Sequence, residues 1–439
     1  MPDRASMVKV FHLAWPVVLS NITTPLLGIV DTAVVGRLPG PEYIGAVAIG
    51  ALVFSYVFWS FGFLRMGTTG FAAQAVGERD GKEVSAVLIR ALLIAAVFGA
   101  AVILLQWPIW LISESLLGAS QRVEGLAAEY YGIRIFSAPA TLANYALLGW
   151  LIGLQKPRLA LVLQIWLNGV NIVLDILFVL GFGWGVAGVA AATLIGEWST
   201  VALGLVLAFR VIRAEGYAFP DQAGLFRLAA FKRLMSANLD IFLRSFALIS
   251  VFAYITNAGA RFGDLTLAAN AVLMSMVHLI AYGLDGFAFA VEALVGTALG
   301  QRNLRELRQA VVASTVWALI VAMFYVLAFW LGGTLIIQLM TDQVDVQQAA
   351  ARFLPWVAIS PLLSVWCFQL DGIFIGATQT RDMRNAMLPV MVIAILAVEV
   401  LSREFGNHGL WAALLLFFVL RAGSLVVLYP RIERRATVS

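Results

Sequence analysis

Long apolar runs, broken by short polar stretches, cover the chain almost from end to end. Twelve segments can be drawn, at about residues 10–36, 44–74, 86–110, 122–152, 159–181, 186–208, 234–258, 268–298, 310–332, 347–376, 384–402 and 408–428. A helix that crosses a bilayer needs about 20 mostly apolar residues, and these segments meet that length. The pattern predicts an all-α polytopic membrane protein. The longest polar interval, about 209–233, carries Arg210, Arg213, Pro220, Arg227, Lys232 and Arg233 and reads as a joint between two halves.

The halves repeat. Adding 223 to a position in the first half often lands on the same residue type in the second: Gly36 and Gly259, Gly77 and Gly300, Arg79 and Arg302, Glu83 and Glu306, Trp107 and Trp330, Gly149 and Gly372, Gly153 and Gly376, Arg158 and Arg381. Ala and Gly matches come cheaply in such a sequence, whereas Arg and Trp pairs held at one offset do not. Six spans per repeat give both repeats the same orientation, so two pseudo-symmetric six-helix bundles are expected, related by an axis along the membrane normal. The expected divisions are an N-terminal lobe at 1–208, a cytoplasmic linker at 209–233 and a C-terminal lobe at 234–439. A transport pathway between the bundles follows from that plan.

Composition narrows the class. Of 439 residues, 62% are hydrophobic and 12% charged, and the mean hydropathy is +0.92. Soluble domains are about half apolar and about a quarter charged. Nucleic-acid readers and water-soluble enzymes are thereby excluded as first readings. The single Cys367 lies in an apolar run, which leaves no disulfide framework or cysteine metal cluster. No cleavable leader is expected, because the first apolar segment follows only Arg4 and Lys9, is long and is polar on one face. Lys and Arg are distributed unevenly: twenty lie at the N-terminus, C-terminus and even-to-odd loops, and four (Arg37, Arg122, Arg261, Arg403) on the other face. The positive-inside rule then puts both termini in the cytoplasm. Trp107, Trp110 and Trp330 near segment ends read as headgroup-layer anchors.

Charges at the bilayer centre cost at least about 2.5–3.5 kcal/mol, so each intramembrane one is a functional hypothesis. The first segment places Asn21, Thr24, Gly28 and Asp31 along one helical stripe, and the fifth repeats this with Asn168, Asn171 and Asp175. Counted from the segment ends, Asp31, Asp175, Thr193 on the sixth segment and Tyr130 on the fourth reach one depth in the outer half of the N-terminal bundle. Taking a carboxylate out of water disfavours its charged form, and a second carboxylate nearby makes ionisation harder still. Asp31 and Asp175 are therefore expected to share and exchange protons. The same oxygen-rich set, Asp31, Asn171, Asp175 and Thr193, also suits a hard cation such as Na⁺. The simpler structural alternative is that the two acids satisfy neighbouring amides in a packed bundle. Pro16 lies inside the first segment, removes a backbone donor and clashes with the His12 carbonyl, so a kink or hinge is expected there. In the second half Asp240 and Arg244 are spaced as an i,i+4 pair and are expected to neutralise one another. Asp285, Glu292 and Asp371, with His278 seven residues before Asp285, form a candidate second ion site. Arg65 and Arg134 read equally as snorkelling side chains or as counter-ions for the buried acids.

Several of these stretches carry a family likeness. The run from Gly28 through VDTAVVGRL to YIGAVAIGA, then FWSFGFLRMGTTGFAAQAVG at 58–77, GWGVAGVAAAT at 183–193 and LDGIFIGATQTRDMRN at 370–385, resembles the multidrug and toxic compound extrusion (MATE) family, and more narrowly its DNA-damage-inducible protein F (DinF) branch. The resemblance covers essentially the whole chain. It implies twelve helices in two lobes and export of cationic or amphipathic organic compounds in exchange for H⁺ or Na⁺. By the same resemblance Asp31 matches the first-helix coupling carboxylate, Asn171 and Asp175 the fifth-helix pair, Thr193 the sixth-helix hydroxyl and Tyr130 a cavity tyrosine. Pro16 matches the proline at which the first helix bends, and Asp371 a tenth-helix acid that binds cations in another branch. Asn144 is the nearest match to a cavity asparagine on the fourth helix, while Leu148 stands where a further polar group is expected.

The leading expectation is thus a multidrug antiporter of the bacterial cytoplasmic membrane, working as a monomer on small amphipathic or cationic organic compounds, with H⁺ as coupling ion and no cofactor. Na⁺ coupling is the nearest alternative. A flippase of lipid-linked precursors shares the two-lobe plan, but it calls for a cationic cavity rather than one centred on carboxylates. An intramembrane enzyme would need a motif such as DDxxD or HExxH, and the chain contains neither.

Overall fold

The computed structural model describes residues 3–117 and 120–437, apart from the side chains at 24–27, 29, 116 and 117. Thr24 of the first polar stripe falls outside the described side chains. Among the described residues there is no strand. The helices are α1 (Arg4–Val35), α2 (Pro41–Trp59), α3 (Phe63–Gly77), α4 (Gly81–Leu104), α5 (Gln106–Leu117), α6 (Gln121–Arg134), α7 (Ala138–Gly153), α8 (Pro157–Asp175), α9 (Gly185–Ala214), α10 (Gln222–Leu225), α11 (Leu228–Ala260), α12 (Asp264–Gly300), α13 (Leu304–Met340), α14 (Val344–Gly376), α15 (Thr380–Leu428) and α16 (Pro430–Thr437). By length and apolar composition eleven described stretches are able to cross a membrane, and the last of them runs from Thr380 to Thr437. That stretch is broken at Gly406, whose backbone (φ 59°, ψ −139°) is not helical. Only glycine takes such a conformation without a Cβ penalty, and dividing the stretch there gives twelve spans. The protein is an all-α polytopic membrane protein of the twelve-helix type.

Several apolar segments that read as single helices are broken. The second segment turns at Ser60–Gly62 between α2 and α3, the third breaks at Leu105, and the fourth passes through a 3₁₀ turn at Ile135–Ser137. Hydropathy reports the length of apolar chain and not its path, so these bends left no mark in the pattern.

The tandem repeat is written in backbone geometry as well as in residue type. Arg79 (φ 58°) and Arg302 (φ 53°) both adopt the left-handed conformation, as do Gln155 (φ 58°) and Thr378 (φ 52°), each pair 223 residues apart. Directly after the first pair, Asp80 caps α4 by accepting from the Glu83 amide at 3.0 Å, and Asn303 caps α13 by accepting from the Glu306 amide at 3.1 Å. Side-chain caps of this kind satisfy helix N-terminal donors left without an intrahelical acceptor. Close helix packing repeats too. A Cβ at Gly149 would collide with the Arg65 carbonyl and one at Gly372 with the Ala288 carbonyl, while Gly153 and Gly376 meet the Thr69 and Glu292 carbonyls. Small residues let membrane helices approach to backbone contact.

The chain divides into two compact units, Leu19–Arg233 and Met1–Val18 with Leu234–Ser439. The expected N-terminal lobe began at residue 1, whereas in the structure the described residues up to Val18 group with the second half. The Trp317 indole donates to the Met7 carbonyl at 3.0 Å, Phe11 lies against Trp317 with ring centroids 5.0 Å apart, and Gly286 packs on Val18. The expected linker is also partly built in. α9 continues to Ala214, and the Gly224 and Leu225 carbonyls accept from buried Arg90 at 2.7 and 3.0 Å.

Two further expectations are corrected. Asp240 does not pair with Arg244. Its carboxylate takes Arg384 at 2.6 Å and the Thr380 hydroxyl at 3.2 Å, both from the start of α15. Arg244 reaches α14 instead. The i,i+4 spacing permits a pair, but charges on neighbouring helices compete for each partner, and the sequence does not rank them. Trp110 is buried, with its ring centroid 5.0 Å from that of Tyr131, while Trp107 and Trp330 are exposed as interface anchors should be.

Candidate functional site

The site is built in the Leu19–Arg233 unit from the ends of four helices. Asp31 lies near the C-terminal end of α1 and is half-buried, and Asp175 closes α8 and is fully buried. The turn that follows Asp175, Ile176–Gly181, is π-helical, a local widening that often occurs at functional positions. The two carboxyl groups lie within hydrogen-bonding reach of one another. Asn171, one turn before Asp175, bridges them. With its nitrogen turned toward the acids, the amide donates to Asp175 Oδ2 at 2.8 Å and to Asp31 Oδ1 at 3.3 Å, and its oxygen accepts from the Thr193 backbone N–H at 3.2 Å. The Thr193 hydroxyl donates to the Val189 carbonyl at 3.1 Å. Asp175 Oδ1 is buried with no hydrogen-bond partner.

Tyr130 and Arg134 on α6 complete the cluster. Arg134 Nη1 donates to the Tyr130 hydroxyl, and its guanidinium lies 4.9 Å from the Phe54 ring centroid. Its charge acts on both Asp31 and Asp175. Asn168 lies one turn before Asn171 on α8, where it accepts from Gln164 at 3.1 Å and donates to the Thr23 carbonyl at 3.3 Å. Asn144 on α7 does not join the carboxylate pair. It donates to Glu197 on α9, at 2.6 Å to Oε2 and 3.1 Å to the backbone carbonyl. Glu197 was missed in the sequence, although it follows Thr193 by four residues and therefore shares its helix face; of the two readings for Arg134, its place beside the acids fits the counter-ion one. Pro16 is buried in α1, which is helical through it, and it precedes by two residues the last position that packs with the other unit.

The acids of the other unit are arranged differently. Asp371 on α14 is clamped by both Arg244 and Arg421, so its charge is already neutralised from α11 and α15. A buried carboxylate held by two guanidinium groups is a poor ligand for a further cation, which weighs against Asp371 as part of the expected second ion site. Glu292 is buried and Asp285 half-buried on α12, while His278 is exposed. Among the described residues no group of three or more His, Cys, Asp or Glu side chains is placed to hold a metal ion.

Comparison with known proteins agrees with this architecture. The MatE family profile matches twice, over residues 16–177 and 241–408. The chain is 42% identical to DNA damage-inducible protein F of Escherichia coli over 97% of its own length and 93% of that protein. It is 25% identical to a probable multidrug resistance protein NorM of Acinetobacter baylyi, covering 94% and 93%. Among solved structures, an outward-facing multidrug resistance transporter of the same family superposes with a TM-score of 0.88 at 20% identity, covering 99% of this chain and 97% of the other. A transporter from Pyrococcus furiosus described as having a binding pocket of reversed polarity superposes with a TM-score of 0.85 at 19% identity, covering 98% and 96%. With the family profile spanning both halves and a relative this similar along nearly the whole chain, the protein belongs to the MatE family of multidrug-type membrane transporters.

Proposed function

We propose that this transporter is a proton-coupled exporter of amphipathic, cationic organic compounds, with Asp31 and Asp175 as the groups that exchange the coupling proton for cargo. The observation that carries the reading is the bridged pair. Two carboxyl groups within reach of each other, one of them fully buried, cannot both hold charge at low cost, and a proton or a cationic cargo relieves the same repulsion. Competition for one charge is what antiport requires, because each ligand must weaken the other or favour a different conformer. Asn171 and Thr193 hold the acids in place, and Tyr130 and Asn168 border the same space.

Proton coupling is favoured over Na⁺ by one feature of the site: Arg134 already supplies a fixed positive charge beside the acids. Residence in the bacterial cytoplasmic membrane with both termini in the cytoplasm is supported by the Lys and Arg distribution, and action as a monomer completes the reading. Pro16 would serve as the hinge by which α1 responds to the protonation of Asp31. The test is uptake of a fluorescent organic cation into everted vesicles in Na⁺-free buffer under an imposed pH gradient. Uptake should collapse when a protonophore is added, and uptake that survives it would point to another driving ion.

A further inference from the structure

Glu197 contrasts with three acids of the second half, each of which is paired with arginine. Asp240 pairs with Arg384, Asp371 with Arg244 and Arg421, and Glu399 with Arg261 and Arg403. Glu197 lies midway along α9 and forms no ion pair with Lys or Arg among the described residues. Its carboxylate is held by the neutral amide of Asn144 at 2.6 Å. An amide orients a carboxylate without cancelling its charge, and an uncompensated charge in a membrane interior is expensive.

The surroundings of Glu197 carry a second observation. Arg134 Nε, Ser137 Oγ and Asn144 Oδ1 are buried and without hydrogen-bond partners, and between Ser137 and Asn144 the Thr141 hydroxyl lies within reach of the Glu197 carboxyl group. The four residues recur at i, i+3, i+7 and i+10, one stripe of the α6–α7 run. The stripe begins at Arg134, which contacts Tyr130 beside the Asp31–Asp175 pair, and ends at Asn144, which touches Glu197. The Trp198 indole donates to the Phe136 carbonyl at 3.2 Å, which fastens α9 to this stretch. Buried polar atoms left unpaired along a line mark a path for water, since native interiors rarely leave them dry. Glu197 is one helical turn, about 5.4 Å, beyond Thr193 toward the C-terminal end of α9. The charged and titratable groups that act on it are Arg134 from α6 and Tyr145 from α7, and Tyr145 is also within electrostatic reach of Arg65 on α3.

We infer that Glu197 is a second proton-carrying site, which exchanges protons with the Asp31–Asp175 pair along the Arg134–Ser137–Thr141–Asn144 stripe and passes them toward the cytoplasmic side. The inference rests on the proton-antiport reading. Each step moves one proton between a carboxyl group and water, with no other bond made or broken. A third acid beside one permanently charged arginine also sets how many protons a bound monovalent cation displaces.

The test counts protons. Purified full-length protein in weakly buffered detergent solution is titrated with tetraphenylphosphonium while a pH indicator reports protons released per cation bound. The wild type should release more protons per cation than Glu197→Gln, by about one. Equal release from the two would overturn the role of Glu197 and leave the antiport reading standing, whereas no release from the wild type would overturn both. A second readout needs no cargo. Infrared difference spectra on a pH jump should show a protonated carboxyl band that is absent in Glu197→Gln, and a band unchanged in that variant would overturn the inference. If Glu197→Gln is not monodisperse, Asn144→Ser keeps the acid and removes its amide donor. The band should then shift in frequency, and an unshifted band would equally count against the assignment.

Discussion

Asn171 and Asp175, one turn apart on α8, are joined at 2.8 Å, and the same amide extends to Asp31 on α1 at 3.3 Å. One neutral side chain thus ties α1 to α8 through the groups proposed to carry the proton. A change of charge at either acid alters the donor–acceptor balance of a single amide, and through it the hold on Thr193 of α9.

Replacing that amide should therefore damage coupling more than folding. Asn171→Ala removes the bridging donor and leaves Asp175 more poorly satisfied, a cost of about 1–3 kcal/mol for a buried polar group. Gradient-driven uptake in vesicles should fall by about tenfold or more while the detergent-solubilised protein remains monodisperse; uptake at the wild-type level would show that the bridge is structural.

Arg134 should decide which ion the site accepts. Without its fixed charge the acids have more need of a cation, and opposite unit charges attract strongly in a low-dielectric setting. Arg134→Gln is expected to gain uptake driven by a Na⁺ gradient at constant pH, a response the wild type should lack. Identical Na⁺ responses in both proteins would remove the argument for proton selectivity.

The Arg244–Asp371–Arg421 cluster should matter for stability and not for coupling. Asp371→Asn leaves two buried guanidinium groups without their counter-charge, and breaking such a cluster costs about 3–5 kcal/mol. The thermal unfolding midpoint in detergent should drop by several degrees. The triple replacement Arg244→Met, Asp371→Leu, Arg421→Met should recover most of that loss, because well-packed apolar side chains can replace buried ions.

The repeated glycines give a symmetric prediction. Gly149→Ala and Gly372→Ala each force a Cβ into a backbone carbonyl, of Arg65 and Ala288 respectively, so the helices must separate. Each should destabilise by about 1–3 kcal/mol, and thermal melts of the two variants should shift alike. A large shift in one and none in the other would mean that the two halves do not use this contact equally.

Much of this arrangement was legible in the sequence because helical rise and span ends fix depth. Asp31, Asp175 and Thr193 fall in one layer by counting residues, and Asn171 lies on the stripe that faces it. What could not be read was partner choice. Arg244 had Asp240 at helical spacing and Asp371 far away in the chain, and only packing shows that it reaches Asp371. Glu197 escaped notice for the opposite reason. Its partner, Asn144, comes from another helix and is neutral, so charge pairing does not mark Glu197, and its i,i+4 spacing from Thr193 was the one signal available. The breaks at Ser60–Gly62, Leu105 and Ile135–Ser137 were invisible because apolar residues continue through them.

The most direct measurement of the central claim is pH-gradient-driven uptake of a fluorescent organic cation into everted vesicles, compared among the wild type, Asp31→Asn and Asp175→Asn at matched expression in Na⁺-free buffer. If the two acids carry the coupling proton, both variants lose the gradient-driven component while the wild type concentrates the dye. Gradient-driven uptake at wild-type rates in either variant would contradict the account.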